Sequence, residues 1–484
     1  MRPWPGFLAV MLLTPVFDVA QVSLTVGPVQ VIFQTIFVVV LAVGLAFAPR
    51  RGLAPRSAAA PGSSAALPAS PSPRVWRRRV RPWRSPDIAA ATAISALLAI
   101  AVLSTLASPD QTTSSTILLH GILEPAAMGF ILLALRRTRN DLVWLMILVA
   151  VSVGIGGLIN IAQSIPAMKT LDAMQSQRLF FSRLTYFNVG LFGEMLAMAL
   201  PLFVVALTAH HRGLLPLRRT IVALLLAALA VSLVSLFLTF SKSAYLAAFG
   251  GCLVLLLLVV RSRRRRVAIV LATVALSAGL IPWPAFFLQV SPPLEQAYRG
   301  AMITLMGESR YDSWNPSTLS GQGSLLERWY ATRAAMEMAI DHPLLGIGLD
   351  QFKGLYVGHY RPPQAKLDLD WAHSMFPEVA AELGLPALAL DLIFYAAAML
   401  ALWRIYRSPP DQLTRPLACA LLAVVVSWLL VGTAFAGDMY RPWRNMSSDY
   451  VMMAVLVAGS FALYRLTFRQ APAAQAAQAA RAGV

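Results

Sequence analysis

Charge is scarce in this chain. Only 13% of its 484 residues are Asp, Glu, Lys or Arg, and 58% are hydrophobic. A soluble globular domain carries about 25% charged residues. The shortage argues against a water-soluble enzyme and reads as an integral membrane protein. Cysteine is nearly absent. Cys252 and Cys419 both sit in apolar runs without metal-ligand spacing, as expected of small packed hydrophobes. There is no glycine-rich phosphate loop with its lysine. No two carboxylates stand at a fixed spacing that would suit ordinary glycoside hydrolysis. No small-residue cleavage site follows the first apolar stretch, so a cleaved signal peptide is not expected.

What is present is apolar length. A spanning helix needs about 20 mostly apolar residues. About twelve segments qualify: 6–25 (interrupted by Asp18), 28–48, 88–107, 114–135, 141–163, 186–207, 220–240, 243–260, 267–288, 375–403, 417–436 and 448–466. The expected fold is an all-α polytopic membrane helix bundle. Its divisions are two spans in 1–48, a basic Pro/Ala/Ser-rich cytoplasmic linker at 49–87, spans three to nine in 88–288, a large outward loop at 289–373, spans ten to twelve in 374–466 and a tail at 467–484.

The formal charge of +18 has a topological explanation. Basic clusters close the 49–87 linker and recur at 136–139, 210–219, 261–266 and 404–407, with Arg465 and Arg469 at the end of the last span. With twelve spans they all face one side, which the positive-inside rule makes the cytoplasm. Both termini then face the cytoplasm, and no nucleic-acid partner is needed. Anionic membrane lipid is the natural neighbour of such clusters.

The opposite side holds the residues that need a reason. Arg183, Lys242, Arg328, Arg441 and Arg444 are basic residues on the outward side, against the positive-inside bias. Lys242 is the sharpest case, in a very short hairpin between two spans. As a set they suit an anionic ligand, although snorkelling or ion pairing would serve any one of them. His373, one of 6 histidines, falls between "DLDWA" and an apolar run. It is a candidate general base or an interfacial histidine. Asp368 and Asp370 are close enough in sequence to tune it, or to hold a metal. His120 and Glu124 share a helix face, and Asp18, Glu194 and Asp391 are intramembrane acids, which mark functional candidates or bundle contacts. In the loop, 324–340 is helical in pattern, with Leu326, Trp329, Tyr330, Met336 and Ile340 on one apolar face. It is expected to lie on the membrane surface or cap the bundle. Pro343, Gly346 and Gly348 follow as a tight turn, expected to complete a lid over a lipid-facing cleft.

Two stretches carry a family resemblance. "RWYATRAAMEMAIDHPLLGIGLDQF" and, about twenty residues later, "AHSMFPEVAAELGLPAL" resemble the signature region of the O-antigen ligase and polymerase superfamily. "SRLTYFNVGLFGEMLAMALPL" and "LTFSKSAYLAAFGG" resemble two upstream segments in the same order, so the likeness covers roughly residues 180–400. It implies a periplasmic-facing glycosyltransferase of the bacterial inner membrane that takes an undecaprenyl-diphosphate-linked glycan donor and a glycan or lipid A-core acceptor. No cofactor is expected, and no metal, since side-chain cations meet the diphosphate charge. The likeness marks His373 and Arg328 as catalytic and Arg183 as diphosphate-binding. Lys242 replaces the family's arginine, keeping charge but losing the bidentate fork, and Ser374 stands where asparagine is common. Arg441 and Arg444 join the diphosphate and substrate set as outward cations. Ligase and repeat-unit polymerase both fit. From another class, a lipid-linked glycan flippase fits the span count.

Overall fold

The computed structural model describes residues 7–8, 11, 23–26, 29–32, 85–135, 138–170, 189–239, 242–260, 262–279, 321–363, 365, 367–433 and 448–470. Among the described residues, apart from one antiparallel hairpin, β1 (Ser23–Val26) with β2 (Val29–Ile32), every regular element is helical. The hairpin overlaps parts of the first two expected spans, 6–25 and 28–48, most of which lie outside the described residues. The "SLTV" and "VQVI" runs that form it are rich in residues that favour strands, and Pro28 lies between them.

The helices are α1 (Pro86–Ala107), α2 (Gln111–Ala134, with a π turn at Leu118–Leu123), α3 (Arg139–Thr170), α4 (Val189–His211), α5 (Arg219–Thr239), α6 (Lys242–Val259), α7 (Arg263–Gly279), α8 (Gly321–Asp341), α9 (Phe352–Leu355), α10 (Met375–Leu383), α11 (Leu385–Arg407), α12 (Thr414–Thr433) and α13 (Ser448–Arg465). Eight of these are long and apolar enough to cross a membrane, and α6 is a shorter apolar helix. The chain is an all-α polytopic membrane protein. One expected span is not single: 375–403 breaks at Gly384, at φ 87°, and only α11 is a candidate span. Pro386 lies in the first turn of α11, where its missing N–H is tolerated.

Hydrophobic burial drives helices into the bilayer but does not choose their neighbours there; close packing of small residues does. α3 meets α5 where Gly154 faces Ala228 and Gly157 faces Ser235. α6 meets α12 where Gly251 faces Ser427, whose hydroxyl donates to the Ala247 carbonyl at 3.0 Å. α1 packs on α11 and α2 on α13.

Polar contacts sort the helix ends into two groups. At one end, Arg465 pairs with Asp87 (3.1 Å) and Arg139 with Asp411. Tyr406 there donates to the Leu258 carbonyl. At the other end, Ser104 donates to the Glu382 carbonyl (2.9 Å) and Ser114 to the Leu349 carbonyl (2.6 Å). A second, smaller core sits at this end. It joins Ala331, Ala335 and Met338 of α8 to Ile347, Phe352, Tyr356 and Ala372.

The two faces of α8 differ in side-chain size. Its buried side is built of Ala331, Thr332, Ala334, Ala335, Met338 and Ala339, while the bulky Trp329, Met336 and Ile340 are exposed. Short side chains let α8 approach α10 closely, and the large apolar residues are left to face outward. The glycine turn also differs from the expected lid. Ile347 N–H donates to the Ala381 carbonyl (2.8 Å), Gly348 N–H to Glu382 (3.1 Å) and Leu385 N–H to Pro343 (2.8 Å). The turn is a clasp on the α10–α11 junction. A Cβ on Gly346, at φ 68°, would stand 2.3 Å from the Glu382 carbonyl carbon, so only glycine fits.

Candidate functional site

The site forms where α8 meets the segment 367–374. Two bonds fix this junction. The Leu367 N–H donates to the Glu327 carboxylate at 3.0 Å, and the Thr332 hydroxyl donates to the Ala372 carbonyl at 2.8 Å. Both anchors on α8 are buried, at 7% and 3% exposure. Arg328 lies between them, one turn before Thr332, so the turn that carries Arg328 is tied to the residue preceding His373. Arg328 is half-buried.

His373 is buried and has φ 53°. A non-glycine residue in the left-handed region carries strain of about 1–3 kcal/mol and persists only where its surroundings fix it. Here the fixing groups are the Ala372 carbonyl bond and Trp371. The indole Nε1–H of Trp371 donates to His373 Nδ1 at 2.8 Å, and the two rings lie 4.7 Å apart at 45°. Directly after His373 the chain enters α10, with Ser374 as its extended N-cap. The positive end of that short helix dipole therefore adjoins His373. Glu378 and Glu382 on α10 are buried as well.

The two aspartates are engaged elsewhere. Asp370 pairs with Lys353 at 2.6 Å and Asp368 with Arg361. They brace the loop against the α9 region and do not orient His373. Tyr360 adds a further brace, its hydroxyl donating to Asp341 at 2.7 Å. That bond, with burial a smaller cause, pushes the Tyr360 phenol up to about 12. Among the described residues no three His, Cys, Asp or Glu side chains converge as a metal site.

Backbone packing brings Lys242's helix end to the same region. A Cβ on Gly432, near the end of α12, would meet the Met375 sulfur at 2.7 Å, two residues past His373. One on Gly250 of α6 would meet Leu430 of α12. Lys242 begins α6 about two turns from Gly250, toward the His373 end. Its side chain lies outside the described residues, as do Arg183, Arg441 and Arg444 entirely. Arg441 and Arg444 follow α12 in sequence.

The intramembrane candidates belong to other places. His120 Nδ1 lies 2.9 Å from Glu124 Oε1, both buried where the π turn of α2 ends. Asp391 lines a cavity of about 120 Å³ with Tyr395 and Trp428, between α1, α2, α11, α12 and α13. Glu194 is buried in α4, and Asp18 is outside the described residues. Trp371, Thr332 and Glu327 escaped the sequence reading. Their one signal there was position, Trp371 two residues before His373 and the other two beside Arg328.

The two bonds tie the turn that carries Arg328 to the loop that carries His373, at the end of a membrane bundle. No curated protein matches the chain. Residues 227–392, from α5 into α11, match the family model described as O-antigen ligase, and that stretch contains Lys242, Arg328 and His373. Over that stretch the chain is similar to the O-antigen ligase family, which supports a membrane glycosyltransferase of the ligase and polymerase type.

Proposed function

We propose that the protein moves a glycan from an undecaprenyl-diphosphate carrier to an acceptor hydroxyl at the periplasmic face of the bacterial inner membrane, with both termini in the cytoplasm. The acceptor is lipid A-core or a growing polysaccharide. The observation that carries this reading is the pair of bonds, Glu327 to Leu367 and Thr332 to Ala372, that joins Arg328's turn of α8 to His373's loop. In the reaction the acceptor oxygen bonds to the anomeric carbon, and the bond from that carbon to the phosphate oxygen breaks. The electron pair leaves on the diphosphate. Arg328, with Arg183, Lys242, Arg441 and Arg444, meets that charge, and His373 contacts the reacting groups. Since side-chain cations neutralise the diphosphate, transfer proceeds without a metal and is expected to persist in chelator.

The test is purified protein in vesicles with a lipid-diphosphate-linked glycan. A covalent glycan–acceptor product supports the reading, and its acceptor separates the two family activities. Lipid A-core carrying the glycan marks a ligase, and lengthened lipid-linked glycan marks a polymerase. Movement of the donor across the bilayer with no covalent product would overturn the proposal in favour of transport.

A further inference from the structure

We propose that Trp371 is a positioning residue that sets the tautomer of His373, so that His373 meets the substrate as a hydrogen-bond donor through Nε2. This rests on the glycosyl-transfer reading for the substrate, but not for the tautomer. An indole nitrogen can only donate. Its bond to His373 Nδ1 is 2.8 Å long and sits where both rings are nearly shut off from water, at 9% and 8% exposure. Nδ1 must therefore carry the lone pair, and the proton of the neutral ring resides on Nε2.

The arrangement is the reverse of a base-activating one. In a Ser-His-Asp triad a carboxylate accepts from Nδ1–H and leaves the Nε2 lone pair to take a proton. Here a donor faces Nδ1. The two carboxylates that could have taken that place, Asp368 and Asp370, pair with Arg361 and Lys353. The geometry has little slack. The bond from Thr332 holds the residue between Trp371 and His373, and the Asp370–Lys353 pair holds the residue before Trp371. The left-handed backbone at His373 then directs its ring.

An Nε2–H on the loop tied to the turn of Arg328 suits a phosphoryl oxygen of the lipid diphosphate. Two donors of different kind, a guanidinium and an imidazole N–H, then stabilise the same leaving group. The acceptor proton passes to the departing diphosphate, whose phosphate takes up a proton with a pKa of about 6. His373 neither gains nor loses a proton over the cycle.

The test uses the full chain in lipid nanodiscs, labelled with ¹⁵N-histidine. The His373 signals are identified by their disappearance in His373→Gln. The wild-type ring is expected to show a hydrogen-bonded, unprotonated Nδ1 and a protonated Nε2, and Trp371→Phe, which keeps a ring but removes the N–H, to lose that bias. Transfer is then measured with a lipid-diphosphate-linked glycan. Trp371→Phe should lower kcat with little change in KM. His373→Gln, whose amide N–H can occupy the Nε2 position, should stay within about tenfold of wild type. His373→Ala should lose about 10²–10³-fold, as for removal of one preorganised donor. A neutral ring with its proton on Nδ1, or His373→Gln as inactive as His373→Ala, overturns the proposal. Absence of transfer by the wild type overturns the glycosyl-transfer reading, while the tautomer is read without substrate.

Discussion

Replacing Gly346 by alanine should open the clasp that holds α8 and the His373 loop to the bundle. The magnitude follows from two sources. At φ 68° an alanine pays the left-handed penalty, about 1–2 kcal/mol. Its Cβ would also stand 2.3 Å from the Glu382 carbonyl carbon and 2.4 Å from its oxygen. Both are backbone atoms that no rotamer change can move. Relief requires the turn to lift, which surrenders the bonds from Ile347 to Ala381 and from Gly348 to Glu382, each about 0.5–1.5 kcal/mol. The expected loss is about 2–5 kcal/mol in the local opening equilibrium. Hydrogen exchange of the full chain in nanodiscs reads this directly. The Ile347 and Gly348 amides should exchange at least about 30-fold faster. Gly354→Ala is the control, since a Cβ there meets nothing within 4 Å and alanine is the better helix former. Unchanged protection at Ile347 and Gly348 in Gly346→Ala would refute the clasp.

Other expectations follow from the same contacts. Thr332→Val leaves the Ala372 carbonyl without its buried donor. It should destabilise the junction by about 1–3 kcal/mol and reduce transfer, whereas Arg333→Ala, on an exposed ion pair with Glu337, should alter neither by a measurable amount. Gly154→Ala drives a Cβ to 2.6 Å from the Ala228 Cβ and 2.9 Å from its Cα, and thermal unfolding should show a loss of about 1–3 kcal/mol. Gly129→Ala, with its nearest neighbour at 3.5 Å, should be tolerated. Ultraviolet titration, differenced against Tyr360→Phe, should place the Tyr360 phenol near 12, and Asp341→Asn should bring it down. Because the folded state holds the neutral phenol, this contribution to stability is intact below the ordinary phenol pKa of about 10. It is lost as pH rises from there through about 12.

Much of the bundle was legible because apolar length is a local property. α1 to α6, α12 and α13 fall where uninterrupted apolar runs predict them. The errors arose where one residue overrides a run. Gly384 splits 375–403 into α10 and α11, since its left-handed backbone interrupts an otherwise continuous apolar pattern. On α8 the bulky Trp329, Met336 and Ile340 are exposed, while alanines form the buried side, because close helix approach selects for small size over hydrophobicity. At the site, His373 and Arg328 could be singled out by charge, position and family likeness. Their support could not. Asp368 and Asp370 are near His373 in sequence, yet their partners are Arg361 and Lys353. The group that faces Nδ1 is the indole of Trp371, a residue that any membrane-interface loop is free to contain.

The central claim is that Arg328 and His373 act on one substrate as one site, and a double-mutant cycle on the transfer rate tests it most directly. Glycan transfer from the lipid diphosphate is measured for wild type, Arg328→Ala, His373→Ala and the double variant. Residues that act as a unit give losses that do not multiply. The account predicts a large loss in each single variant and a double variant little worse than the poorer of the two. Losses that multiply, or undiminished transfer by His373→Ala, would contradict it.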